Sequence, residues 1–531
     1  MIQARQLPLF LAMFVAAPLA AEVSNVNLTN AGAESDVSLV GITGDGRGAV
    51  VLSVSGGAGA LAVYPFDGGA ALPLGNEAEV PASDLLQPVL SPDGGWVVYN
   101  ENLGTKEAVA AASVASGTAH LVSPEMFDGS LMRFAISPDG ERVVYAAAKD
   151  PVFNPVARLY SAPLAGGTEV DLTGSLGGSN AASTEFAISP DGERVVFTIR
   201  SGTIRNIYSV PISGGTRVKL NASLSDGARY VSFDAISPDG GRVLYHSYDF
   251  NLQISLENVI FNYYTVPTLG GAAVAVTSAG AESAQFRGGR FVQGGARVLF
   301  QSSPGSEPDP AEWLLWSAPA SGGTPAALTP QFEAGDHVDA VFACEDTSTI
   351  LYRYHIESSS EDRLYRVGAD GSGFGDVTPS GASTLPGVPG FVPECTEAFF
   401  AMEDTAGPIH ALPLPAGAAS PLDPQLAAGL VIDASTPPRL TPDGENLVFR
   451  VRDTGTNAHT LHWMPAGGGA SERLSVAAPD GAGAESGWLH SSDGRWLVYR
   501  AQPSASGVAD IFAARIREQS ILPDPDAWSV Y

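Results

Sequence analysis

The sequence predicts an all-β chain that folds as a β-propeller of about ten four-stranded blades. One observation is a phrase in which a Ser-Pro-Asp-Gly turn separates two apolar runs, as in FAISPDGERVVY at Phe134–Tyr145. A second is the Gly-Gly phrase that follows it, LYSAPLAGGTEVDLT at Leu159–Thr173. The third is the spacing: the turn serines at 91, 137, 189 and 237 are separated by 46, 52 and 48 residues. Four strands in each repeat of this length indicate propeller blades.

The first phrase has the chemistry of a β-hairpin. Pro138 presets the backbone for a tight turn, Asp139 favours it through its short polar side chain, and Gly140 tolerates a positive φ. The β-branched and aromatic run that follows suits a strand packed on both faces. Clear copies stand at Val89–Tyr99, Phe186–Phe197, Asp234–Tyr245, Arg439–Phe449 and Leu489–Tyr499, and weaker ones at Thr43–Leu52, Gln293–Phe300, Cys344–Tyr352 and Pro393–Phe400.

The Gly-Gly phrase reads as strand, tight turn and strand, and it completes the predicted unit. Further copies are Ile207–Asn221, Tyr263–Thr277 and Leu315–Thr329. We expect the Ser-Pro-Asp-Gly and Gly-Gly turns to share one face of the propeller. The loops after each second strand and the connections between blades then share the opposite face, called here the loop face.

The two ends of the chain predict export and ring closure. Met1–Ala21 has a basic start, a short apolar stretch and a small-residue end, which is typical of a cleaved signal peptide. The propeller is expected over residues 22–531, with no membrane span. Glu22–Thr29 resembles the last strand of a blade, and the tenth unit lacks that strand, so we expect the N-terminal segment to close the ring. A frayed extension is the alternative, and two abutting propellers remain an alternative to one ring.

Together the two phrases resemble the PD40 repeat of TolB-like propellers, which are related to WD40 repeats. The resemblance covers nearly all of the chain after the signal peptide and implies the fold. That family includes the periplasmic protein TolB and the propellers of prolyl-oligopeptidase-type peptidases. The repeated residues have folding roles, so the resemblance transfers no site residue; it implies a periplasmic or secreted protein with a precedent for binding a protein segment.

Composition narrows the choice of partners. The chain has 28 Lys and Arg against 57 Asp and Glu, a net charge of −29. Such a surface repels phosphate backbones, so nucleic acid is excluded as a partner. We expect a monomer that meets an envelope or extracellular protein or glycan. A high acidic content also serves solubility.

The two cysteines, Cys344 and Cys395, lie 51 residues apart, which is the length of one unit. Both occupy the turn position of degenerate copies. An exported protein meets an oxidising compartment, so we expect a disulfide between neighbouring blades. Two unpaired thiols, too far apart to bridge, are the alternative.

Binding residues are expected on the loop face, where loop lengths vary over a rigid scaffold. The variable segments are Tyr248–Asn258, Lys149–Val156, Ser302–Glu312, His355–Asp362 and Gln331–Asp339. The candidate side chains in or next to them are Arg229, Tyr230, His246, Tyr248, Asp249, His337, Arg353 and His355. Acidic residues of these loops indicate a basic or cation-bridged partner: Asp150, Asp249, Glu257, Glu307, Asp309, Glu333, Asp336, Asp339, Glu361 and Asp362.

The sequence therefore predicts a non-catalytic binding or scaffold protein. It contains no G-x-S-x-G nucleophile elbow, no H-E-x-x-H or C-x-x-C motif and no phosphate-binding loop, and we expect no cofactor and no metal site. The alternative is a polysaccharide lyase or hydrolase with its site at the channel mouth. In that reading a His, Tyr and Arg set abstracts a proton next to a uronic carboxylate.

Overall fold

The fold is taken from a computed structural model of the protein. The residues it describes are 25–29, 35–56, 58–75, 87–127, 130–149, 156–174, 176, 181–201, 204–222, 229–249, 262–277, 285–303, 313–329, 336–344, 348–379, 387, 389–392, 394–402, 407–476, 483–502 and 509–516. The predicted signal peptide, 1–21, lies outside them.

Nearly all regular structure in these residues is β-strand. The first strand is β1 (Asn25–Asn27), and the next ones in chain order are β2 (Ser35–Ile42), β3 (Gly48–Ser55), β4 (Ala58–Pro65), β5 (Leu72–Pro73), β6 (Val89–Leu90), β7 (Trp96–Asn102), β8 (Lys106–Ser113), β9 (Ala119–Leu121), β10 (Met126–Phe127), β11 (Leu131–Ile136), β12 (Arg142–Ala147), β13 (Arg158–Pro163), β14 (Val170–Asp171), β15 (Ala181–Ile188), β16 (Arg194–Ser201), β17 (Ile204–Pro211), β18 (Val218–Lys219), β19 (Arg229–Ile236), β20 (Arg242–Asp249), β21 (Asn262–Pro267) and β22 (Val274–Ala275).

The second half of the chain continues in the same way. Its strands are β23 (Gln285–Val292), β24 (Arg297–Ser303), β25 (Leu314–Pro319), β26 (Ala326–Ala327), β27 (His337–Ala343), β28 (Thr349–Ile356), β29 (Glu361–Gly368), β30 (Gly375–Asp376), β31 (Gly390–Phe391), β32 (Glu397–Ala401), β33 (Ile409–Pro413), β34 (Ser420–Leu422), β35 (Leu430–Ile432), β36 (Arg439–Leu440), β37 (Asn446–Asp453), β38 (His459–Pro465), β39 (Glu472–Arg473), β40 (Gly483–His490), β41 (Trp496–Gln502) and β42 (Asp510–Arg515). A 3-10 turn, Gln293–Gly295, stands between β23 and β24.

Strand pairing groups these strands into antiparallel units, numbered here 1 to 10 in chain order; units 2 and 9 have five strands and the others have four. Units 1 to 8 begin at β2, β6, β11, β15, β19, β23, β27 and β31. Unit 9 comprises β35 and β36 with β37, β38 and β39, and unit 10 comprises β40, β41, β42 and β1. A single parallel pair, His459 with Gly483, links units 9 and 10 into one nine-stranded sheet. The predicted all-β propeller fold is confirmed.

The Ser-Pro-Asp-Gly turns have a recurring hydrogen-bond pattern. Ser137 Oγ donates to Asp139 Oδ1 at 2.5 Å, and the same oxygen accepts the backbone N–H of Glu141 at 3.0 Å. Arg142 N–H donates back to Ser137 Oγ at 3.0 Å. Gly140 has φ 72°, the left-handed conformation that glycine adopts without strain. The turn residues therefore close the hairpin through their own side chains, as the sequence predicted.

Aromatic pairs recur between the second and third strands. Tyr145 stacks on Tyr160 with ring centroids 5.3 Å apart, and Tyr245 stacks on Tyr264 at the same distance. These pairs are direct cross-strand partners in their sheets. Such pairs contribute about 1 kcal/mol each beyond the area they bury. The Tyr or Phe that ends each hairpin phrase is thus a packing residue.

Neighbouring sheets cover each other's faces. The described core consists of ten buried apolar clusters, and each cluster takes side chains from two units that follow one another. One of them joins unit 10 to unit 1 through Val498 and Ile511 against Val37 and Val51. The first strands of neighbouring units also approach one another, as β2 does with β6 and with β40. The first strands therefore lie nearest the axis, because sheets that radiate from an axis are closest there.

The N-terminal strand completes the last unit, as the sequence predicted. β1 pairs antiparallel with β42, and Leu28 N–H donates to Ile511 O at 2.9 Å. Thr29 Oγ1 donates to Asp510 Oδ1 at 2.9 Å. Asn25 Nδ2 donates to Leu474 O at 2.9 Å and its Oδ1 accepts the Tyr499 hydroxyl at 2.8 Å, so this side chain joins unit 9 to unit 10. In the described ranges the chain contains no helix long and apolar enough for a membrane crossing.

Histidine replaces tyrosine in the aromatic pair of two units. His410 stacks on Phe400 at 5.5 Å, and His462 lies against Phe449 at 6.2 Å. Both imidazoles are buried, and neither Nδ1 has a hydrogen-bond partner in the described residues. Burial lowers the pKa of His462 to about 4, assisted by the charge of Arg473. The folded protein therefore holds this ring neutral.

We predict that acid weakens the fold through His462. The unfolded chain protonates this ring below pH 6.5, whereas the folded chain does so only near pH 4. The stability that the neutral His462 ring contributes is fully present above pH 6.5. As the pH decreases towards 4 the free energy of unfolding falls, by about 2 kcal/mol at pH 5. His462→Tyr introduces the tyrosine that units 3, 4, 5 and 7 have at this position and should remove that part of the loss.

The measurement is the free energy of unfolding from urea titrations at pH 7 and pH 5. A matched control is Thr456→Ala in an exposed turn, which should keep the wild-type difference between the two pH values. An equal difference in wild type and His462→Tyr would contradict the assignment.

Candidate functional site

One register position varies in chemistry while the residues around it repeat. It lies in the second strand, nine residues after the turn Ser, Thr or Cys, in the half of the strand nearer the loop face. Its occupants in units 2, 3, 4, 5, 7, 9 and 10 are Asn100, Ala146, Thr198, His246, Arg353, Arg450 and Arg500. The turn and the aromatic pair serve folding in most units, so a position whose chemistry changes from unit to unit is a candidate for ligand contact.

In unit 5 this position holds a His–Asp pair. His246 Nδ1 lies 2.8 Å from Asp234 Oδ1 and 2.9 Å from Oδ2. A bulge in β19 between Phe233 and Ala235 places Asp234 outside the regular ladder. Burial raises the pKa of Asp234, although the hydrogen bond and charge of His246 act in the opposite direction. In a neutral ring with Nδ1–H donating to the carboxylate, the lone pair is on Nε2.

Tyr263 packs beside this pair and against the next unit. Its ring is 6.1 Å from the His246 ring in an edge-on arrangement. A Cβ at Gly289, on β23 of unit 6, would lie 2.4 Å from the Tyr263 ring, so only glycine allows this approach. Burial raises the pKa of the Tyr263 hydroxyl. The arrangement holds the tyrosine protonated at neutral pH.

In unit 7 the equivalent position holds an Arg–Asp pair. Arg353 Nε donates to Asp339 Oδ2 at 2.7 Å. Asp339 stands at a bulge of β27 between Val338 and Ala340, as Asp234 does in β19. Units 5 and 7 thus have the same arrangement. In each of them an acidic residue at the first-strand bulge holds a basic side chain of the second strand in place.

Two histidines lie together at the loop-face end of unit 7. His337 and His355 are cross-strand partners with ring centroids 5.0 Å apart. His355 Nδ1 is 2.8 Å from Asp362 Oδ1, and its Nε2 is 3.5 Å from Glu357 Oε2. The hydrogen bond with Asp362 is the main cause that raises the pKa of His355. This end of the unit therefore favours a protonated imidazole.

Units 9 and 10 repeat the pairing of a first-strand acid with a second-strand arginine. Arg450 Nη1 donates to Asp433 Oδ2 at 2.9 Å. Arg500 donates to Glu485 at 2.8 Å and to Asp36 of unit 1 at 2.6 Å. The second contact crosses the closure between the last and the first unit. These pairs fix each basic side chain in place.

Unit 6 reverses the pattern. The first strand carries the cation, Arg287, whose Nε donates to Gln301 Oε1 at 3.0 Å on the second strand. Its Cζ lies 4.0 Å from the centroid of the buried Trp313 ring. No carboxylate of the described residues pairs with Arg287. Sequence reasoning missed it, and the signal that could have found it is Arg287-Gly288-Gly289-Arg290, two arginines around a Gly-Gly pair inside a first strand.

The structure brings together some of the predicted residues and separates others. His337 lies against His355, and Arg353 stands in the same two strands, whereas His246 belongs to unit 5, with unit 6 between. For Arg229, Tyr230, Tyr248 and Asp249 only the backbone is described, in the pairs Arg229 with Asp249 and Tyr230 with Tyr248. Their side chains lie outside the described part.

Several loops of the predicted loop face are shorter in the structure than the sequence indicated. β20 continues to Asp249, so Tyr248 and Asp249 belong to the strand and not to a loop. β28 includes His355 and β29 includes Asp362, because the two strands pair up to Ile356 with Glu361 and leave a short turn between them. The β-branched and aromatic residues of these strand ends extend the ladder further than the sequence indicated. Loop residues 250–258, 150–155, 304–312 and 331–335 lie outside the described residues.

The cysteines join two units. Cys344 and Cys395 form a disulfide with their Cα atoms 6.0 Å apart. Cys344 follows β27 in unit 7, and Cys395 lies in the turn between β31 and β32 of unit 8. The bridge therefore links two neighbouring turns on the face opposite the loops. Within the described part, no three His, Cys, Asp or Glu side chains stand close enough to hold a metal ion.

No protein-family model and no curated protein sequence matches the chain. Among solved structures it is similar to a protein described as TolB from Agrobacterium tumefaciens, with 16% identity and a TM-score of 0.28 over 49% of this chain and 83% of that one. It is similar to dipeptidyl peptidase 4 of Porphyromonas gingivalis, with 11% identity and a TM-score of 0.42 over 78% of this chain and 56% of that one.

A third similar structure is an oligogalacturonate lyase in complex with manganese, with 12% identity and a TM-score of 0.36 over 81% of this chain and 98% of that one. The three structures comprise a TolB, a peptidase and a lyase. At this level of similarity they assign no activity to this chain.

We predict that the disulfide stabilises the fold by about 4 kcal/mol, because it closes a loop of 51 residues in the unfolded chain. Cys344→Ala/Cys395→Ala should lower the free energy of unfolding by that amount. Mass spectrometry of unreduced protein from an oxidising compartment should find no thiol that alkylates. Two alkylated thiols in correctly folded protein would contradict the bridge.

Proposed function

We propose that the chain is an exported, non-catalytic binding protein of the PD40, TolB-like kind, which recognises an envelope or extracellular partner on its loop face. In this proposal residues 1–21 are removed as a signal peptide and residues 22–531 form the binding ring. The inter-unit disulfide agrees with an oxidising compartment, periplasmic or secreted.

The observation that carries the proposal is the pairing of first-strand acids with second-strand bases. His246 with Asp234, Arg353 with Asp339 and Arg450 with Asp433 are held by hydrogen bonds between 2.7 and 2.9 Å. Side chains fixed in this way lose little conformational freedom when a ligand arrives. They differ from unit to unit, which is how a repetitive ring obtains a surface specific for one partner.

The proposal predicts that the loop face and not the turn face captures the partner. Replacement of residues 250–258 by a short Gly-Ser turn should abolish capture of a partner from envelope extract by the tagged protein. Leu269→Ser is the matched control, since Leu269 is 73% exposed in the Gly-Gly turn of the same unit on the opposite face. The measurement is quantitative mass spectrometry of the captured proteins. Equal capture by wild type and the shortened loop, or no capture by either, would contradict the proposal.

A second candidate function, a polyuronide lyase, is favoured by the Asp234–His246 pair. The carboxylate orients the imidazole through Nδ1, and the Tyr263 ring packs edge-on beside it. A general base requires such an oriented imidazole. The reaction also requires a proton donor for the leaving group and a cation against the uronic carboxylate.

This candidate has a direct test. A lyase produces unsaturated uronates, whose ultraviolet absorbance increases during the reaction. Wild type on a panel of polyuronides should show that increase, and His246→Gln should lower the rate at least a hundredfold with the melting temperature unchanged. If folded wild-type protein causes no increase in ultraviolet absorbance with any polyuronide of the panel, the lyase function is ruled out.

A further inference from the structure

We propose that the cleft between units 1 and 2, on the face of the Ser-Pro-Asp-Gly turns, binds a tryptophan side chain of a partner polypeptide. This face is opposite the loop face, so the inference goes beyond the proposed function and does not depend on it. In most other units a long side chain of the chain itself lies at the equivalent place, and unit 1 lacks that side chain.

The first residue of the second strand faces the following unit at the turn face. It pairs with the last residue of the third strand, as Gly48 does with Pro65. Trp96 packs in the cluster shared with unit 3, and Trp496 packs in the cluster shared with unit 1. The occupants in units 1 to 10 are, in order, Gly48, Trp96, Arg142, Arg194, Arg242, Arg297, Thr349, Glu397, Asn446 and Trp496. Among these ten residues only Gly48 has no side chain.

The residue two places before the end of the third strand lies beside this position and varies with it. The arginines of units 3 to 6 each donate to a hydroxyl there, on Ser161, Ser209, Thr265 and Ser317. The tryptophans of units 2 and 10 have an alanine there, Ala111 or Ala513.

Units 7, 8 and 9 fill the same place in other ways. In units 7 and 9 the third strand supplies the long side chain, Arg366 or Trp463. Unit 8 has Glu397 on the second strand. Unit 1 combines Gly48 with Val63, the pair with the smallest side-chain volume of the ten units.

A cleft of about 450 Å³ lies where unit 1 lacks this side chain. Its lining is mostly apolar and includes Val63, Pro65, Val114 and Ala115, with Asp45 and Arg47 as charged residues. The turns of the two units touch on one side of it, because a Cβ on Gly44 would lie 2.0 Å from Asp93 O. Volume and lining are those of a binding site for a small group.

The backbone does not require a glycine at position 48. Its φ lies outside the left-handed region. A Cβ at this residue would lie 3.1 Å from Val63 Cγ1, which is a tight contact. Gly48 and Val63 therefore belong together, and a side chain at position 48 calls for alanine at position 63, the pairing that unit 10 has.

The cleft resembles the tryptophan units more than the arginine units. Val63 offers no oxygen that could accept from a buried guanidinium, and an unpaired buried donor costs free energy. The turn acid of unit 1 already has a cation beside it. The hydrogen bond from Thr43 is the main cause that lowers the pKa of Asp45, and the charge of Arg47 acts in the same direction.

Unit 10 has the same charges, and Trp496 is the side chain that fills its gap. Arg495 directly precedes the second strand, as Arg47 does in unit 1, and its charge favours the ionised Asp493. In units 3 and 4 that position holds Glu141 or Glu193, whose charge favours the arginine that follows. A neutral aromatic ring therefore fits the cleft of unit 1 better than a cation does.

The contact of an entering ring follows from unit 10. The Trp496 ring lies 5.2 Å from the ring of Phe66 in unit 1. Val114 is the equivalent residue of unit 2, because Phe66 N–H donates to Arg47 O and Val114 N–H donates to Gly95 O in the same way. A partner's indole ring would pack on Val114 and bury apolar area on both sides.

The test is a ligand-detected NMR titration of the full chain with three blocked tripeptides, acetyl-Gly-X-Gly-amide with X as Trp, Arg or Leu, and with free indole. The Trp peptide should bind at least fivefold tighter than the Arg and Leu peptides, and at least as tightly as indole. Equal binding of the three peptides, or tighter binding of the Arg peptide, would contradict the proposal. Tighter binding of indole than of the Trp peptide would identify a small molecule and contradict a polypeptide.

Variants locate the binding. Gly48→Trp/Val63→Ala reproduces unit 10 and fills the cleft, so it should weaken binding of the Trp peptide at least tenfold. Ala115→Arg obstructs the cleft from an exposed residue and should weaken binding at least fivefold. Ala165→Arg is the matched control, because Ala165 is the equivalent exposed residue of unit 3, where Trp96 already fills the gap. Its affinity should equal that of wild type.

No binding of any probe, unchanged affinity in either folded cleft variant, or an equal loss in Ala165→Arg would overturn the proposal. Binding that appears only in Trp528→Ala would show that a ring of the chain itself occupies the cleft, and would overturn it too. These results leave capture by the loop face unaffected, so failure of the cleft and failure of the proposed function are distinguishable.

Discussion

The structure depends on the burial of both faces of each sheet by its two neighbours. Val144 and Val143 show this within one strand, since one packs towards unit 4 and the other towards unit 2. A row of such sheets has two uncovered ends, and only closure of the row removes them. Packing of Val37 on Ile511 joins the ends, and the pairing of β1 with β42 completes the last sheet at its edge.

Closure has a consequence for function. The first strands lie nearest the axis, and the acids at their bulges orient the basic side chains of the second strands. In units 5, 7, 9 and 10 the charge of each basic side chain is thereby satisfied, as at Asp234 and Asp339, and the side chains are held in place. In unit 6 the first strand carries the cation instead: Arg287 stacks on Trp313 and pairs with no acid of the described residues. A surface that carries such fixed pairs is suited to selective binding.

The fold could be predicted from the sequence because its determinants are local. The Ser137-to-Gly140 turn makes its own hydrogen bonds, and the terminal strand at Asn25–Asn27 is recognisable as the fourth strand that unit 10 lacks. The candidate site could be predicted only in part. A bulge interrupts the alternation of inward and outward side chains in β19. The contact between Asp234 and His246 depends on this shift in register, which the sequence pattern does not reveal. The contact of Arg287 with Trp313 crosses an intervening strand and has no local signature.

The central claim is that the first and last described strands share one sheet and thereby close the ring. Its most direct test is a cross-link between Val26 and Ala513, which are direct cross-strand partners. Their Cα spacing in an antiparallel pair permits a disulfide. In oxidised Val26→Cys/Ala513→Cys, peptide mapping should find residue 26 joined to residue 513, with Cys344 still joined to Cys395. Two alkylated thiols at 26 and 513 in folded protein, with the native bridge intact, would contradict the account.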